Sequence, residues 1–391
     1  MKLIEQFFPD LFPRRVPQKV PIKCHPRRQV AYIMTPAETL TSSDDLKLAD
    51  GPIFSVIIVN YNGRAYVQQT LNSLARQTRR DFEVILIDNA STDGSISDLE
   101  IEDLPTFRLM AETENHGYAR ATNLAAAVAQ GDWLVCLNPD AQAEPDWLEE
   151  IALGQQRHPG TKLFASAQFD AADSGTLDGA GDAYLIFGMP WRGGFGRPSS
   201  ELPDEGECFS PCGAGAVFHR ETFLAHGGMD ERFFCYCEDV DIGFRMRLAD
   251  KACIFLPQAR IHHVGGGVSG RISDFAIYHG TRNRIWTYAK NMPALLLILT
   301  LPGHVALSLY LLMRASTTQR GRPTWRGMRD GVKGAAEMRR LGKPGRQKVS
   351  SLWNLSRAMA WNPFRMSQRK VHVRLLRHPQ QVSGSNPSEA L

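Results

Sequence analysis

Three carboxylates stand within four residues of one another, at Glu238, Asp239 and Asp241. A carboxylate that is held in place can take a proton from a substrate hydroxyl. The segment that contains them is predicted to form a helix with one buried face, because its apolar residues recur every four positions, at Val240, Phe244 and Leu248. Free backbone N–H groups at the start of a helix favour negative charge, so the acids have either a catalytic role or only a capping role.

Three short apolar runs earlier in the chain each lead into polar residues, at Asn60, at Asp88 and at Asp140. Segments with helical spacing lie between the runs, so the chain alternates between strands and helices. This alternation predicts an α/β fold with a mostly parallel central sheet. Ligands of such sheets bind beyond the carboxyl ends of the strands. We therefore expect Asn60, Asp88 and Asp140 to lie around one crevice.

From about Pro52 to Pro293, these motifs and their order resemble those of the family 2 glycosyltransferases of the GT-A fold, and among them the bacterial rhamnosyltransferase-like branch. The resemblance implies that the donor is a nucleoside-diphosphate sugar and that Asp88 contacts its nucleobase. It also implies that segment 115–123 leads into the helix beside the diphosphate. The residues that it assigns to donor binding are Val59, Asn60, Asp88, Asn89, Gly117, Arg120, Asn123, Asn138 and Asp140.

The same resemblance implies a divalent cation, Mn or Mg, that neutralises the diphosphate leaving group through oxygen ligands. Asp140 occupies the position of the family's metal-binding Asp-X-Asp motif, in which Asn138 replaces the first aspartate. We expect the Asn138 amide to orient the sugar or the diphosphate. His263 falls on a histidine that the family places near the metal, and imidazole suits Mn better than Mg. Alternatively, His263 is a buried, hydrogen-bonded histidine without a metal.

Glu238 and Asp239 match the family's Glu-Asp motif, which implies that Asp239 is the catalytic base and that Glu238 orients Asp239 or the acceptor. One base without a second nucleophile implies a single displacement with inversion at the anomeric carbon. The implied reaction moves a sugar, with L-rhamnose as the first candidate, to a hydroxyl of a lipid-linked saccharide. Such products belong to cell-envelope or surface polysaccharide synthesis.

Two other classes of protein remain open on the sequence. One is a sugar-nucleotide-binding scaffold at the membrane without turnover, although the intact Asp88, Asp140 and Asp239 speak against it. The other is a nucleotidyltransferase. That class would need a glycine-rich phosphate loop with basic residues directly after the first strand, whereas residues 60–63 are Asn-Tyr-Asn-Gly. Hydrolysis of the donor in the presence of metal would distinguish the enzyme from the scaffold.

Three further segments have more than one interpretation. The stretch with Asp178 and Asp182 is more typical of a polar surface loop than of a calcium loop, because it lacks the terminal glutamate. The segment 191–197 is either a contact for the acceptor or a flexible glycine-rich loop. The glycines of segment 265–270 have a dinucleotide-binding spacing, but no βαβ unit begins there, so we expect a mobile flap.

The carboxy-terminal third differs in composition from the rest of the chain. Residues 294–313 are nearly uncharged and long enough to span a bilayer as a helix. Pro302-Gly303 at their centre favours a broken helical hairpin in the cytoplasmic leaflet, with a buried pair of soluble helices as the alternative. From Arg314 to His378 there are 17 Lys and Arg against two acids, so an anionic membrane surface is an expected partner. No nucleic-acid-binding motif accompanies this charge, and nucleic acid is not expected to bind.

These observations divide the chain into four parts: an N-terminal extension at 1–50, a glycosyltransferase domain at 51–290, a membrane-associated helical region at 291–345 and a basic, partly disordered tail at 346–391. Residues 1–50 show no apolar core followed by a cleavage site, so no signal peptide is predicted. The seven cysteines form no Cys-X-X-Cys pair, which fits a reduced cytosolic protein. We therefore expect a cytoplasmic protein that is peripheral or monotopic at the inner face of the cell membrane.

Overall fold

The computed structural model describes residues 31–34, 51–265, 273–347, 349 and 351–376. Apart from Gly265, the segment predicted to be a flap lies outside the described residues, as does most of the N-terminal extension. The strands are β1 Ala31–Met34, β2 Phe54–Asn60, β3 Phe82–Asp88, β4 Phe107–Ala111, β5 Trp133–Cys136, β6 Ala141–Ala143, β7 Leu163–Asp170, β8 Leu177–Ala180, β9 Asp182–Leu185, β10 Met189–Arg192, β11 Gly206–Cys208, β12 Ala216–His219, β13 Cys253–His263 and β14 Arg374–Leu375.

Helices alternate with the strands in the first half of the chain and dominate the last third. They are α1 Val67–Ala75, α2 Gly117–Val128, α3 Trp147–Arg157, α4 Arg220–Ala225, α5 Glu238–Leu248, α6 Asp274–Asn291, α7 Ala294–Ser316, α8 Gly321–Leu341, α9 Lys343–Gln347, α10 Leu352–Ala358 and α11 Pro363–Ser367. Short 3-10 turns occur at Ser199–Glu201, Gly213–Gly215 and Glu231–Phe233.

Twelve of the described strands form one sheet, in the order β1-β4-β3-β2-β5-β12-β7-β13-β11-β14, with β6 paired to β13 and β8 to β7. Strands β1, β4, β3, β2 and β5 run parallel, whereas β12 is antiparallel to both of its neighbours. β9 and β10 form a separate antiparallel hairpin. The predicted α/β fold with a mostly parallel central sheet is confirmed.

The central strands are buried on both faces. Every residue of β2 and β3 is buried, as their mostly apolar sequences predict, and the polar pair Ser55 and Glu83 is joined by a 2.7 Å hydrogen bond. Helices α1 and α3 pack on one face of the sheet, and α2 packs on the other. β2 ends at Asn60 and β3 at Asp88, and these two residues are register partners. The fold therefore places their polar side chains next to each other at one edge of the sheet.

The helix predicted from the acidic motif is α5. Its apolar face is buried as predicted, because Val240, Phe244 and Leu248 pack in one cluster with Tyr184 and Phe209. Burial of this face sets the rotation of the helix about its axis. The first residues of α5 are thereby held in one orientation relative to the sheet.

The third acid of the motif, Asp241, joins α5 to α6. Its carboxylate lies 2.7 Å from Lys290 Nζ and 2.8 Å from Arg245 Nε, and it accepts a 2.7 Å hydrogen bond from Asn291 Nδ2. Lys290 Nζ also lies 2.6 Å from Asp230. Burial alone would raise the pKa of Asp241, but Lys290 and Arg245 hold it at about 2. Asp241 is a structural acid that links α5 to α6.

The residues predicted to form a broken hairpin form one continuous helix, α7, so the predicted break at Pro302-Gly303 is wrong. A Cβ atom on Gly303 would lie 2.5 Å from the ring of Phe187, and His304 Nδ1 lies 2.9 Å from the Phe187 carbonyl oxygen. A proline inside a helix costs free energy, in part because one backbone hydrogen bond is lost. The contacts with Phe187 help α7 to continue through Pro302. α7 is the one helix in the described ranges long and apolar enough to cross a membrane, and 22% of its apolar window is buried.

The carboxy-terminal residues return to the sheet. α8 packs along α6, and α10 contributes Leu355 and Ala358 to the cluster around α5. β14 pairs with β11, and Arg374 forms an ion pair with Glu207. The last described strand, β14, is therefore part of the sheet domain.

Candidate active site

Asn60 and Asp88 form a buried contact at the carboxyl ends of β2 and β3. Asn60 Nδ2 donates hydrogen bonds to Asp88 Oδ1 at 2.7 Å and to Ser95 Oγ at 2.8 Å. Asp88 also accepts from the Ser91 backbone N–H at 3.0 Å and from the Ser91 hydroxyl at 2.6 Å. Val59 is buried directly before Asn60. These three predicted donor-binding residues form a rigid floor at the edge.

Asn89 joins this floor to α2. Its Nδ2 donates to the carbonyl oxygen of Gly117 at 3.1 Å, and its Oδ1 accepts from the His116 backbone N–H at 3.2 Å. Gly117 has a φ of +78°, and a Cβ atom there would lie 2.4 Å from the carbonyl oxygen of Phe234. Only glycine fits this position. The start of α2 is thus held between the Asp88 edge and the loop that leads to α5.

Arg120 and Asn123 lie further along α2 and contact that same loop. Asn123 Oδ1 accepts from the Met229 backbone N–H at 2.9 Å, and Asn123 Nδ2 donates to the Met229 carbonyl oxygen at 2.8 Å. Arg120 Nε lies 4.0 Å from Glu231, and its side chain is 48% exposed. The amide of Asn123 is occupied by a structural clamp, and its contacts are with this loop rather than with Asp88.

Asp140 and His263 meet in a buried cluster. His263 Nε2 lies 3.2 Å from Asp140 Oδ1 and 3.2 Å from Asn138 Nδ2, and His263 Nδ1 lies 2.7 Å from Asp178 Oδ2. When Asp178 accepts the Nδ1 proton, Nε2 and Asp140 face each other as two acceptors. A second proton or a cation between them makes this contact favourable. Burial lowers the pKa of His263, but the hydrogen bonds to Asp140 and Asp178 outweigh it and raise the pKa.

This cluster adjoins the Asn60 edge through Pro139. A Cβ atom built on Gly63 would lie 2.4 Å from Asn60 Oδ1 and 3.5 Å from Pro139 Cβ. Pro139 also accepts a 2.7 Å hydrogen bond at its carbonyl oxygen from the Thr70 hydroxyl. The first two polar strand ends and the segment with Asp140 therefore lie side by side.

Asp178 and Asp182 are buried, with 1% and 6% of their surface exposed, so the prediction of a polar surface loop is wrong for both. Asp178 lies in β8, and Asp182 begins β9. Arg192 ends β10, is the register partner of Asp182 and forms an ion pair with Asp178. The β9–β10 hairpin therefore carries a guanidinium group to the His263 cluster, and its residues Trp191 and Arg192 are not part of a flexible loop.

Asp239 lies at the start of α5, held by two backbone N–H groups. Its Oδ2 accepts from Gly213 at 2.8 Å, and its Oδ1 accepts from Val240 at 2.7 Å. Ligand atoms of Asp239, Asp182 and Cys212 lie within 4.8 Å of one another, close enough to hold one cation. Among the described residues, this is the one group of three such side chains that lie close enough together to hold a metal ion.

Glu238 and Asp239 differ in environment. Burial, and then the charge of Asp239, raises the pKa of Glu238 well above its ordinary value, and Glu238 Oε2 has no hydrogen-bond partner among the described residues. Burial also raises the pKa of Asp239, but the N–H groups of Gly213 and Val240 and the charge of Arg192 oppose this rise. Asp239 is also the less buried of the two acids. It is therefore the better-placed proton acceptor.

The loop before α5 has a strained backbone. Phe234, Tyr236 and Cys237 have φ values of 66°, 72° and 66°, in the region that non-glycine residues rarely adopt. Asn283 of α6 holds the loop, because its buried Nδ2, which carries two N–H donors, lies 2.7–2.9 Å from three loop carbonyl oxygens. Strain of this kind persists only where surrounding contacts enforce it. Asn283 therefore helps to fix the position of Asp239.

Sequence reasoning missed the roles of Asp178, Arg192 and Asn283. A signal for the hairpin was present, because the three-residue turn 186–188 contains Gly188 and separates two short runs, whose residues Leu185 and Met189 are paired. No spacing pattern points to Asn283, which contacts the loop only because α6 folds back onto α5.

Comparison with known proteins gives the family. Residues 55–223 match the family model "Glycosyl transferase family 2". Over 297 residues the chain is 27% identical to the N-acetylglucosaminyl-diphospho-decaprenol L-rhamnosyltransferase of Mycobacterium tuberculosis, with 68% of this chain and 94% of that protein covered. It is 33% identical over 226 residues to the O-antigen biosynthesis protein RfbC of Myxococcus xanthus, which covers 53% of this chain and 17% of that one.

Among solved structures, that of S. aureus TarS 1-349 in complex with UDP-GlcNAc aligns with a TM-score of 0.49 at 17% identity, over 81% of this chain and 92% of that one. The family match spans the Asn60–Asp88 floor, Asp140, and the Asp178 and Arg192 strands. It agrees with the mostly parallel sheet and with the resemblance found in the motifs. The chain therefore carries a family 2 glycosyltransferase domain at residues 55–223, on a sheet that agrees with the GT-A fold expected from the motifs.

Proposed function

We propose that the protein transfers a sugar, with L-rhamnose as the first choice, from a nucleoside-diphosphate donor to a hydroxyl of a lipid-linked saccharide. The name of the mycobacterial relative supports both the sugar and the class of acceptor, since that protein is an L-rhamnosyltransferase for N-acetylglucosaminyl-diphospho-decaprenol. The product would belong to cell-envelope or surface polysaccharide synthesis. The donor nucleoside would lie along the floor of Val59, Asn60 and Asp88, beside Asn89.

The observation that carries the proposal is the placement of Asp239. Its two oxygens are oriented by backbone N–H groups, and it is less buried than the neighbouring Glu238. In the proposed reaction Asp239 takes the proton of the acceptor hydroxyl while the hydroxyl oxygen attacks the anomeric carbon. The bond from that carbon to the diphosphate oxygen breaks, and the electron pair leaves with the nucleoside diphosphate. One displacement of this kind inverts the anomeric configuration.

Asp140 and His263 are the residues that we propose hold a divalent cation. The fit rests on the two facing acceptors, His263 Nε2 and Asp140 Oδ1, which need a positive charge between them. Such a cation neutralises the charge of the departing diphosphate. Asp178 would keep the imidazole ring oriented through its contact with Nδ1. A carboxylate that accepts the other ring N–H of a metal-binding histidine commonly fixes its tautomer and its orientation. We prefer the Asp140–His263 pair to the group of Asp182, Cys212 and Asp239, because it adjoins the Asn60 side chain through Pro139, whereas the other group contains the proposed base.

We also propose that the protein works on the cytoplasmic membrane face as a peripheral or monotopic enzyme. The exposed side of α7 carries large apolar residues, among them Ile298 at 71% exposure and Leu299 at 67%. The basic residues that follow α7 would meet anionic headgroups. An acceptor with a lipid anchor would then reach the enzyme within the membrane plane.

The proposed function is tested by incubating the purified protein with nucleotide sugars, Mn²⁺ or Mg²⁺ and a polyprenyl-diphosphate N-acetylglucosamine acceptor. Mass spectrometry should show the acceptor gaining one deoxyhexose from deoxythymidine-diphosphate rhamnose. Gain of a different sugar would correct the donor. No transfer from any donor, together with tight donor binding, would instead indicate a binding protein without turnover.

A further inference from the structure

Arg284 of α6 is a buried cation without an acidic partner among the described residues. It is 4% exposed, its Nη2 donates to Ser308 Oγ at 2.9 Å, and its Nη1 is buried without a hydrogen-bond partner within the described ranges. Burial lowers the pKa of Arg284 to about 10, so the group remains charged at neutral pH. An uncompensated buried charge is costly to a fold and is usually paired in proteins. The free donor indicates that an anion is the missing partner.

Tyr184 adds a second free donor in this region. Its hydroxyl is buried, has no hydrogen-bond partner among the residues described, and interacts electrostatically with Arg284. Arg284 also interacts electrostatically with Cys237, the residue directly before Glu238 and Asp239. The guanidinium group therefore lies next to the start of α5, on the α6 side of the acidic motif.

An apolar cavity of about 470 Å³ lies between α6, α7 and α8, and Ser308, the hydrogen-bond partner of Arg284, is part of its wall. This size lies within the range of about 300–1,000 Å³ that is usual for small-molecule sites. Its wall includes Leu301, Val305, Leu309 and Val332, which are 45%, 47%, 53% and 66% exposed. The cavity therefore opens on the exposed apolar side of α7, where we place the membrane.

Asp239, Arg284 and the cavity thus offer three features in order: a proton acceptor, a cation and an apolar cavity. A lipid-linked saccharide has the matching series of a hydroxyl, a diphosphate and a hydrocarbon chain. We propose that Arg284, with Tyr184, binds the diphosphate of an isoprenoid-linked acceptor and that the cavity between α6, α7 and α8 takes the first part of its isoprenoid chain. This inference deepens the proposed function and rests on it for the identity of the acceptor.

The test is a binding measurement that needs neither donor nor turnover. Full-length protein in phosphatidylcholine nanodiscs is titrated with radiolabelled farnesyl diphosphate, and empty nanodiscs supply the background. We expect saturable binding that Arg284→Gln weakens at least about tenfold, as for the loss of a charge-assisted hydrogen bond. Ala335 lines the cavity, so Ala335→Trp should fill it and weaken binding to a similar degree. Lys333→Trp, an exposed site on the same helix outside the cavity wall, is the matched control and should bind as wild type does.

Competition distinguishes the two halves of the site. Unlabelled farnesyl diphosphate should displace the label well, whereas farnesol and inorganic diphosphate should each displace it poorly. Equal competition by inorganic diphosphate would show a simple anion site and overturn the proposal. Non-saturable binding to the wild type, or wild-type binding by both Arg284→Gln and Ala335→Trp, would also overturn it.

The melting temperature separates binding from a structural role. If Arg284 is kept for a ligand, Arg284→Gln should melt at the wild-type temperature or above it, because a buried unpaired charge is removed. A melting temperature several degrees lower would assign Arg284 to the fold instead. The proposed function has its own readout in sugar transfer. Normal transfer by Ala335→Trp to the lipid-linked acceptor would reject the cavity and leave that function standing.

Discussion

The backbone N–H of Gly213 donates a 2.8 Å hydrogen bond to Asp239 Oδ2, which joins the turn before β12 to the start of α5. Val240 holds the other carboxylate oxygen from within the helix. Because both donors are backbone groups, the carboxylate is oriented by the fold itself. The electrostatic environment of Asp239 can therefore be changed through a neighbouring side chain while its position is kept.

Arg192→Met should move the acid limb of kcat/KM to higher pH. Asp239 acts as a base only when it is deprotonated, so activity is lost as the pH falls through its pKa. Burial raises that pKa above the ordinary aspartate value of about 3.9, and the charge of Arg192 opposes the rise. Removal of the charge therefore raises the pKa further. The measurement is a pH–rate profile of the wild type, of Arg192→Met and of the control variant Arg197→Met. Arg197 is a suitable control because it pairs with Glu201. An unchanged acid limb in Arg192→Met would separate Arg192 from the base.

Asn283→Ala should reduce kcat about tenfold or more while donor affinity changes little. The variant frees three loop carbonyl oxygens, and the strained loop can then relax and displace Asp239. Initial-rate kinetics and donor titration measure the two quantities. Asn291→Ala is the matched control. Asn291 is a second buried asparagine of α6, and its side chain contacts Asp241 of α5 instead of the loop. It should lower the melting temperature but keep kcat. Equal loss of kcat in both variants would assign the effect to general destabilisation.

Asp140→Ala should weaken metal-dependent donor binding strongly, and His263→Ala should weaken it more mildly and more with Mn²⁺ than with Mg²⁺. Asp140 supplies an anionic oxygen, whereas an imidazole nitrogen is a better ligand for Mn²⁺. Calorimetric titration of each variant with donor and metal gives the affinities. His262→Ala is the control, because His262 is adjacent in the sequence but contacts Glu144 instead. Full wild-type activity in excess chelator would reject the metal-dependent mechanism.

Wild-type protein should float with anionic vesicles and stay bound in a high-salt wash. Attraction of exposed cations to lipid is screened within about 10 Å at 0.1 M salt, whereas burial of the apolar face of α7 does not depend on charge. Replacing Ile298 and Leu299 together by lysine should make binding weak and salt-sensitive. Asn72→Lys adds a charge on α1 and should have no effect. Wild-type protein that remains free of vesicles at every ionic strength would show that α7 does not bind lipid.

Much of the sheet domain follows from local sequence. Mostly apolar runs predict β2 and β3, and apolar residues at every fourth position predict the buried face of α5. The paired ends of β2 and β3 bring Asn60 next to Asp88. These features depend on residues that are near one another in the chain or on the regular geometry of parallel sheets. The Glu-Asp motif then identifies Glu238 and Asp239 as the acids that could act as a general base.

The rest depends on contacts between distant segments. Pro302 predicts a break in a helix, but Phe187, more than a hundred residues earlier, packs against Gly303 and the helix continues. Asp178 and Arg192 lie in polar, glycine-containing sequence, yet Asp178 is buried beside His263 and Arg192 forms an ion pair with it. A protein cut after Asn291 would lose α8 and β14, which pack on α6 and on the sheet. Composition alone could not show this dependence.

The anomeric configuration of the product tests the central claim that Asp239 is the base of a single displacement. The sugar is transferred by the wild type, and the linkage formed is determined by NMR against the configuration of the donor. The account predicts inversion, together with a rate for Asp239→Asn that is lower by about a hundredfold or more at nearly unchanged donor affinity. Retention of configuration, or activity of Asp239→Asn within a few-fold of the wild type, would contradict it.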